Sequence, residues 1–402
     1  MTTREATATV DDAARPRGDL LRRFIQGDLA SLRVILGLAV IWMIFQIQED
    51  RFLSAVNLTN LVLQITAIGL ISVGVVLVLL LGEIDLSVGA VSGVCAAVMA
   101  VLSVKHGWSP YLAIGAGVAA GTLIGLFQGF IFTRFGIPSF VVTLAGLLAW
   151  QGALLEVLGD TGTVNLTDAK ITGLANTYYS DTFGWVVAAL AIAAFAALTL
   201  ENRRTRLRDG LAVPPLAAAG ARIAIVAAAV VAAVAVLNAD RGVPLAALIL
   251  IGFVLFFQYV TTSTTFGRHI YAVGGNAEAA RRAGIKVTRL RVVVFMLASS
   301  MAAVGGIMAA SRLLAVNQSS GAGDVLLLAI AGPVIAGTSL FGGRGSVWTA
   351  LLGALVIGSI SNGMDLLALQ SSVKFMVTGA VLLAAVVIDA IARQQRRAAG
   401  RV

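Results

Sequence analysis

Glu83 and Asp85 stand two residues apart in Leu81–Ser92, LGEIDLSVGAVS, with strongly apolar sequence on both sides. A bare carboxylate at mid-bilayer costs several kcal/mol, so these acids need a partner, water or an interfacial position. Three readings are open. The acids form a proton relay, or they mark a discontinuous helix beside a permeation path, or they sit in a polar turn at the membrane interface. Gly82 and Gly89 favour irregular backbone here, and Asp85 or Ser87 is placed to cap the helix that follows. Such backbone must face protein or water, because lipid leaves its N–H and C=O groups unpaired. Glu83, Asp85 and Ser87 are therefore candidate residues of a translocation path. Thr338, in the Gly-rich stretch Ala331–Gly345 (AGPVIAGTSLFGGRG), and Asn362, closing a later apolar run with Asp365, join them. The two Gly-rich breaks hint at two related halves.

Other chemistries lack their residues. No lysine follows a glycine, so the phosphate-cradling loop G-x-x-x-x-G-K-[ST] is missing, and Gly342-Gly343-Arg344-Gly345 has no lysine to replace it. His106 and His269 are far apart without ligand-spaced partners, and the single cysteine, Cys95, lies in an apolar run. A metal site, a catalytic centre and a resident cofactor are thus not expected, and the chain does not read as an enzyme. Uphill transport would draw on an ion gradient or on a nucleotide-hydrolysing partner.

The elements that carry these residues are membrane helices. Hydrophobic residues make up 58% of the chain and charged residues 12%, against about 25% charged in soluble domains. With spans of roughly 20 apolar residues, the pattern predicts an all-α, polytopic integral membrane protein. About twelve transmembrane helices are expected, within a range of roughly 10–14, over 31–48, 59–82, 84–104, 110–133, 139–158, 183–200, 222–238, 243–262, 292–315, 323–341, 346–366 and 371–391. With the N-terminus inside, 23 of the 29 basic residues fall on the cytoplasmic side, as the positive-inside rule requires. The net charge of +9 is then an orientation signal, both termini are cytoplasmic, and nucleic acid is set aside as a partner.

The organisation follows. Residues 1–30 are a polar cytoplasmic tail without the apolar core of a signal peptide, residues 31–391 the transmembrane domain, and 392–402 a basic cytoplasmic tail. Residues 201–245, with a Pro214-Pro215 break, read as an extra hairpin, and Gly159–Asp181 as a turn-rich outer loop. Gly117, Gly121, Gly125 and Gly129 form a stripe four residues apart that admits a neighbouring backbone. Static packing and a helix that shifts during transport both fit that stripe.

Residues 263–291 form a cytoplasmic loop that carries a short capped helix. Asn276 suits the N-cap, Ala277–Ala283 are good helix formers, Glu278 complements the positive end, and Arg281 and Arg282 complement the negative end. Gly284 suits the left-handed residue that ends it. A helix of two turns, about 10 Å long, is not stable alone and requires something to dock against.

Three segments, GEIDLSVG at 82–89, TTFGRHIYAVGGNAEAARRAGI at 264–285 and GTSLFGGRGSV at 337–347, resemble the inner-membrane permeases of bacterial monosaccharide ABC importers of the ribose, xylose and galactose type. The resemblance runs from about residue 35 to 390, and the extra hairpin makes the chain most similar to the longer xylose-type permeases. It implies a multi-pass protein of the bacterial inner membrane, working as two permease copies in the lipid bilayer. Two cytoplasmic ABC ATPase subunits would hold ATP-Mg, and an extracytoplasmic sugar-binding protein would deliver a monosaccharide. By position, Gly275, Asn276, Glu278, Ala279, Ala280, Arg281 and Gly284 would form the coupling helix that enters a cleft on the ATPase. Gln151-Gly152 stands where relatives often carry Arg-Gly, and Arg282-Ala283-Gly284 where many carry Leu-Ser-Gly. The competing reading is an ion-coupled secondary carrier using Glu83 and Asp85.

Overall fold

A computed structural model describes residues 30–213 and 215–398, so the N-terminal tail, Pro214 and the last four residues lie outside it. The helices are α1 (Ala30–Gln48), α2 (Ala55–Leu80), α3 (Val88–Val104), α4 (Pro110–Phe135), α5 (Ser139–Leu158), α6 (Ala169–Asn176), α7 (Asp181–Arg208), α8 (Leu216–Asn238), α9 (Leu245–Ser263), α10 (Thr265–Gly275), α11 (Ala277–Arg282), α12 (Val287–Leu313), α13 (Val325–Ile335), α14 (Trp348–Leu366) and α15 (Ser371–Ala398). Each of the twelve predicted spans falls on one of them. Eight are long and apolar enough to cross a membrane: α2, α4, α5, α7, α8, α9, α12 and α14.

The all-α expectation holds for the bulk of the chain, with one exception in the loops. Four strands of two or three residues, β1 (Thr163–Asn165), β2 (Tyr178–Tyr179), β3 (Val243–Pro244) and β4 (Ala315–Asn317), form two antiparallel pairs, β1 with β4 and β2 with β3. They lie in the loop-rich end of the molecule. There Gly159–Asp181 is a folded cap rather than a run of turns. Asp168 caps α6 by accepting from Lys170 N and Ile171 N, and the α6 backbone docks on α12 through Ala175 N–H donating to Ser311 Oγ at 2.9 Å.

Two predicted spans are shorter than expected. The stretch 84–104 becomes helical only at Val88, and 323–341 only over Val325–Ile335. At 1.5 Å per residue, the 17 residues of α3 and the 11 of α13 reach about 26 and 17 Å, less than the roughly 30 Å hydrocarbon core. The missing length is turning and irregular backbone, flanked by Gly82 and Gly89 in the first case and carrying Gly337, Gly342, Gly343 and Gly345 in the second.

The core is built around α2 and α12. Helix α12 packs against α4, α2 and α3, and 19 residues of α2 are buried. Between membrane helices there is no water to expel, so close van der Waals approach carries the association. The glycine stripe of α4 supplies that approach: Gly117, Gly121, Gly125 and Gly129 are buried, and Gly121, Gly125 and Gly129 meet the α12 backbone or its Cβ atoms. Helices α7 and α8 pack mainly on each other, burying only Gly184, Ala188, Val234 and Leu237. This pair of helices, Asp181–Arg208 and Leu216–Asn238, is therefore peripheral to the core.

Candidate functional site

The short helix α11 has both caps. The Asn276 side chain accepts from Ala279 N at 2.9 Å. At the other end Gly284 takes a left-handed φ of 85°. Gly284 N donates to Arg281 O at 3.0 Å and Ile285 N to Ala280 O at 3.1 Å. This pair of bonds is a Schellman ending, closed by contact between a C-terminal apolar residue and the last turn; Ile285 and the buried Ala280 fill those places. Glu278 pairs with Arg281 at 2.9 Å and Arg282 at 3.2 Å. All three side chains are more than half exposed, so these pairs add at most about 1 kcal/mol and the caps matter more. The helix ends at Arg282, with Ala283 as its cap.

Removing the N-cap has a measurable consequence. Asn276→Ala costs about 1 kcal/mol of local stability. Amide exchange at Ala279 and Ala280 is expected to quicken about five-fold in consequence, with amides of α12 unchanged. Equal exchange in both proteins would exclude the capping role.

The element before α11 is a helix too, which the sequence reading of 263–291 as a loop with one helix did not include. Thr264 caps α10 by accepting from Gly267 N, and Ile270 and Val273 bury its inner face. Tyr271 Oη donates to Gly345 O at 2.9 Å. Burial pushes that phenol above its ordinary pKa, so it remains a donor throughout the physiological range. Gly274 then lies flat on two other segments. A Cβ there would come within 1.8 Å of Leu80 O and 2.5 Å of Gly343 N. Gly343 N donates to Leu80 O at 2.9 Å, and Gly82, with φ 75°, abuts Phe341 and Gly342. Gln258 on α9 fixes the far side of this loop, its Oε1 accepting from Ser346 Oγ and Val347 N. The two helix breaks, 81–87 and 336–347, thus touch each other and α10 at one end of the molecule.

The candidate path residues are distributed unequally. Glu83 is paired with Arg291 on α12 at 2.8 Å, beside the Phe132 ring, so it is not a free acid. Asp85 and Ser87 are buried. Asp85 Oδ1 accepts from Ser87 N at 2.8 Å and Ser87 Oγ at 2.6 Å, and Ser87 Oγ also lies 3.1 Å from Gln128 Oε1 on α4. Ser87 occupies the N-cap position of α3, yet neither its side chain nor that of Asp85 bonds to a free N–H of the helix beyond. The expected side-chain cap is replaced by this cluster. Thr338, in the 336–347 loop, bonds Thr349 Oγ1 on α14. Asn362 sits apart, accepting from Asn57 Nδ2 at 2.8 Å and donating to Gln64; Asn57 is at the opposite end of α2 from Leu80, about 35 Å away by helix rise. Asn362 and Glu83 therefore do not share a site.

Among the described residues no group of three or more His, Cys, Asp and Glu could hold a metal ion. Cys95 is buried.

The family model described as the branched-chain amino acid transport system permease component matches residues 57–386. The chain belongs to this permease family. It is 39% identical to the xylose transport system permease protein XylH of Escherichia coli strain K12 over 348 residues, 86% of this chain and 88% of the relative. It is 35% identical over 357 residues to XylH of Haemophilus influenzae, covering 89% and 95%. The ribose import permease protein RbsC of Bacillus subtilis is 31% identical over 369 residues, covering 92% and 95%. No solved structure matches. In this permease the three segments that carry the sequence resemblance turn out to be one structural unit: 82–89, 264–285 and 337–347 meet at Gly82, Gly274, Gly342 and Gly343.

Sequence reasoning missed Arg291, Gln128, Ser139 and Thr143 as parts of this region. Arg291 was visible only as one more basic residue of an orientation-setting loop. Gln128 carried a faint signal, a lone amide just before the last glycine of the stripe.

Proposed function

We propose that this chain is the membrane-spanning permease subunit of an ABC importer for xylose or a related monosaccharide in the bacterial inner membrane. The observation that carries the reading is the seat of the capped helix α11. Its N-terminal neighbour α10 rests, through Gly274, on both glycine-bearing breaks of the helical core. A force applied to α11 from outside therefore reaches the interrupted spans without passing through a flexible loop. The basic residues cluster on this end, which supports a cytoplasmic position for α10 and α11, where an ABC ATPase subunit binds. The missing phosphate loop leaves ATP hydrolysis to that partner. A sugar-binding protein supplies ligand at the opposite, loop-rich end, and a second permease copy completes the path.

In this reading Gly275, Asn276, Glu278, Ala279, Ala280, Arg281 and Gly284 form the ATPase-coupling element. ATP-driven closure of the ATPase pair draws α11 inward and reorients the spans, and affinity for sugar resides in the delivery protein. The exposed face of α11, with Glu278, Arg281 and Arg282, is what the ATPase cleft receives. Asp85, Ser87, Thr338 and Asn362 line or support the moving spans, and no cofactor is held by this chain.

The test is reconstitution in nanodiscs with the neighbouring ATPase and candidate sugar-binding proteins. ATP hydrolysis stimulated by one loaded binding protein is the expected result. Uptake in vesicles without ATP, abolished by an uncoupler, would instead establish the ion-coupled carrier. Two substitutions check the coupling element. Glu278→Lys inverts the charge at the positive end of α11, and Gly284→Pro cannot adopt the φ of 85° found there. Both are expected to uncouple hydrolysis from uptake while insertion stays normal, and normal uptake by both would remove the assignment.

A further inference from the structure

The eight residues Gly82–Gly89 are pinned at both ends and along their length. At the first end Gly82 lies against Phe341 and Gly342, next to Gly274 of α10. At the second, a Cβ on Gly89 would come within 2.6 Å of Gly321 O, and one on Gly93 within 2.0 Å of Ser320 O. Loop Ser320–Gly323 thus enters the molecule from the loop-rich end to meet the start of α3. A cavity of ≈ 150 Å³ opens at that meeting point, lined by Gly89, Gln151, Leu154, Ser320, Gly321 and Leu326. Gln151 and Leu154 place it beside the second half of α5.

Between the two pins the backbone is held at three heights. Ile84 N donates to Ser139 Oγ at 3.3 Å and Leu86 N to Thr143 Oγ1 at 3.0 Å. Ser87 joins Asp85 to Gln128. Glu83 makes the one charged link, to Arg291, one turn into α12. Helix α12 follows the capped helix directly, with only Ala283–Lys286 between them. It also touches α3 just beyond the segment, where Gly306 meets Ser92 O, a Cβ there falling 2.0 Å from that oxygen. Arg291 and Gly306 are about 22 Å apart along α12, so the helix grips the segment near its start and again on α3, just past its end.

We propose that Gly82–Gly89 is a strut carrying motion of the capped helix to the cavity beneath Gln151, and that Glu83 and Arg291 are positioning residues that lock the strut to α12. The proposal rests on the ABC-permease reading and deepens it. Its physical basis is the absence of slack. Glycine contacts between backbones have no side chain that can turn aside, and a charge pair with both members largely shielded from water resists separation far more than an exposed one. When α12 is displaced by its neighbour α11, the strut must follow, and with it the wall of the cavity at Gly89. Glu83 therefore contributes to transport through Arg291 and not by binding a proton or ion.

The experiment uses the full permease assembled with its ATPase and binding protein in nanodiscs and proteoliposomes. It measures sugar transported per ATP hydrolysed, the KM for loaded binding protein, and the amount of assembled complex. Wild type is compared with Glu83→Gln, Arg291→Gln, Glu83→Arg and the exchanged pair Glu83→Arg with Arg291→Glu. Coupling energies between sites correspond to roughly 5- to 150-fold. The single variants are expected to lose at least about five-fold in sugar per ATP, with KM and assembly retained, and the exchanged pair to recover most of it. A single variant that assembles and keeps the wild-type ratio overturns the strut. An exchanged pair that assembles and remains uncoupled overturns the locking role of the charge pair. A wild-type assembly showing no ATP-driven uptake overturns the importer reading itself, and the strut with it. Variants that fail to assemble singly and are rescued by exchange support the pair, and failure to rescue assembly counts against it.

Discussion

Gly274→Ala is expected to abolish transport while the chain still inserts in the membrane. The added Cβ would sit 1.8 Å from Leu80 O and 2.5 Å from Gly343 N. Both are backbone atoms, so no rotamer change relieves the overlap. Either α10 lifts away from α2, or the Gly343 N–H to Leu80 O bond of 2.9 Å breaks. Overpacking of this kind costs about 1–3 kcal/mol and more where backbone must move. The strain falls on the joint between the coupling element and the helix breaks. A comparison is built in next door: a Cβ on Gly275 meets nothing within 4 Å, so Gly275→Ala keeps the thermal stability of the parent. Uptake per inserted molecule and the unfolding temperature in detergent read the difference. If the two alanine variants behave alike in both, the tight joint does not exist.

Gly125→Val is the second large effect, and it acts on the core. A Cβ at Gly125 would lie 2.3 Å from Phe295 O and 2.8 Å from Met296 Cα, so the substitution forces α4 away from α12. That contact is one of the most extensive in the molecule. Without a hydrophobic force between membrane helices, lost close packing has little to replace it. A fall in unfolding temperature and in yield of folded protein is expected. Gly115→Val on the same helix, where a Cβ meets open space, is expected to leave both nearly unchanged, apart from a small gain in helix propensity. An equal fall for the two would show that a valine anywhere on this helix destabilises it, and that the contact with α12 is not what matters.

These two glycines also mark where sequence reading succeeded and where it stopped. The period of four at Gly117–Gly129 identified a face able to admit another backbone. It gave no sign that the partner would be α12, 160 or more residues later in the chain. Gly274 had no period to report it. It stood in a motif of recognised type, and its contact with Leu80 and Gly343 joins three segments that the sequence keeps far apart.

The caps of α11 were fully legible, because capping is a local matter between residues three to five apart. Asn276, Gly284 and the charges between them lie where their types predicted. The short spans were less so. Hydropathy sums apolar character without regard to backbone, and the sequence around 84–87 and 336–341 is apolar enough to pass as helix. The structure spends those residues on glycine-rich extended segments because their polar backbone finds partners there: Ser139, Thr143 and the Gly343–Leu80 bond. Asp85 and Ser87 went another way. Local rules offered them as caps for α3, but Gln128 on α4 provides a competing partner that only tertiary contact brings within reach.

Glu83 shows the division most clearly. By itself the sequence determined that an acid stood in apolar surroundings and had to be neutralised, since an unpaired charge there is too costly. It also determined the membrane-spanning class, the capped helix and the permease family, all of which rest on composition, period or local motif. The tertiary structure decided what neutralises Glu83. Arg291 is more than 200 positions along the chain, and its pairing follows from the packing of α12 against α2 and α3. Side-chain type sets a requirement that is readable locally. Which group meets it depends on distances that exist only once the helices have packed.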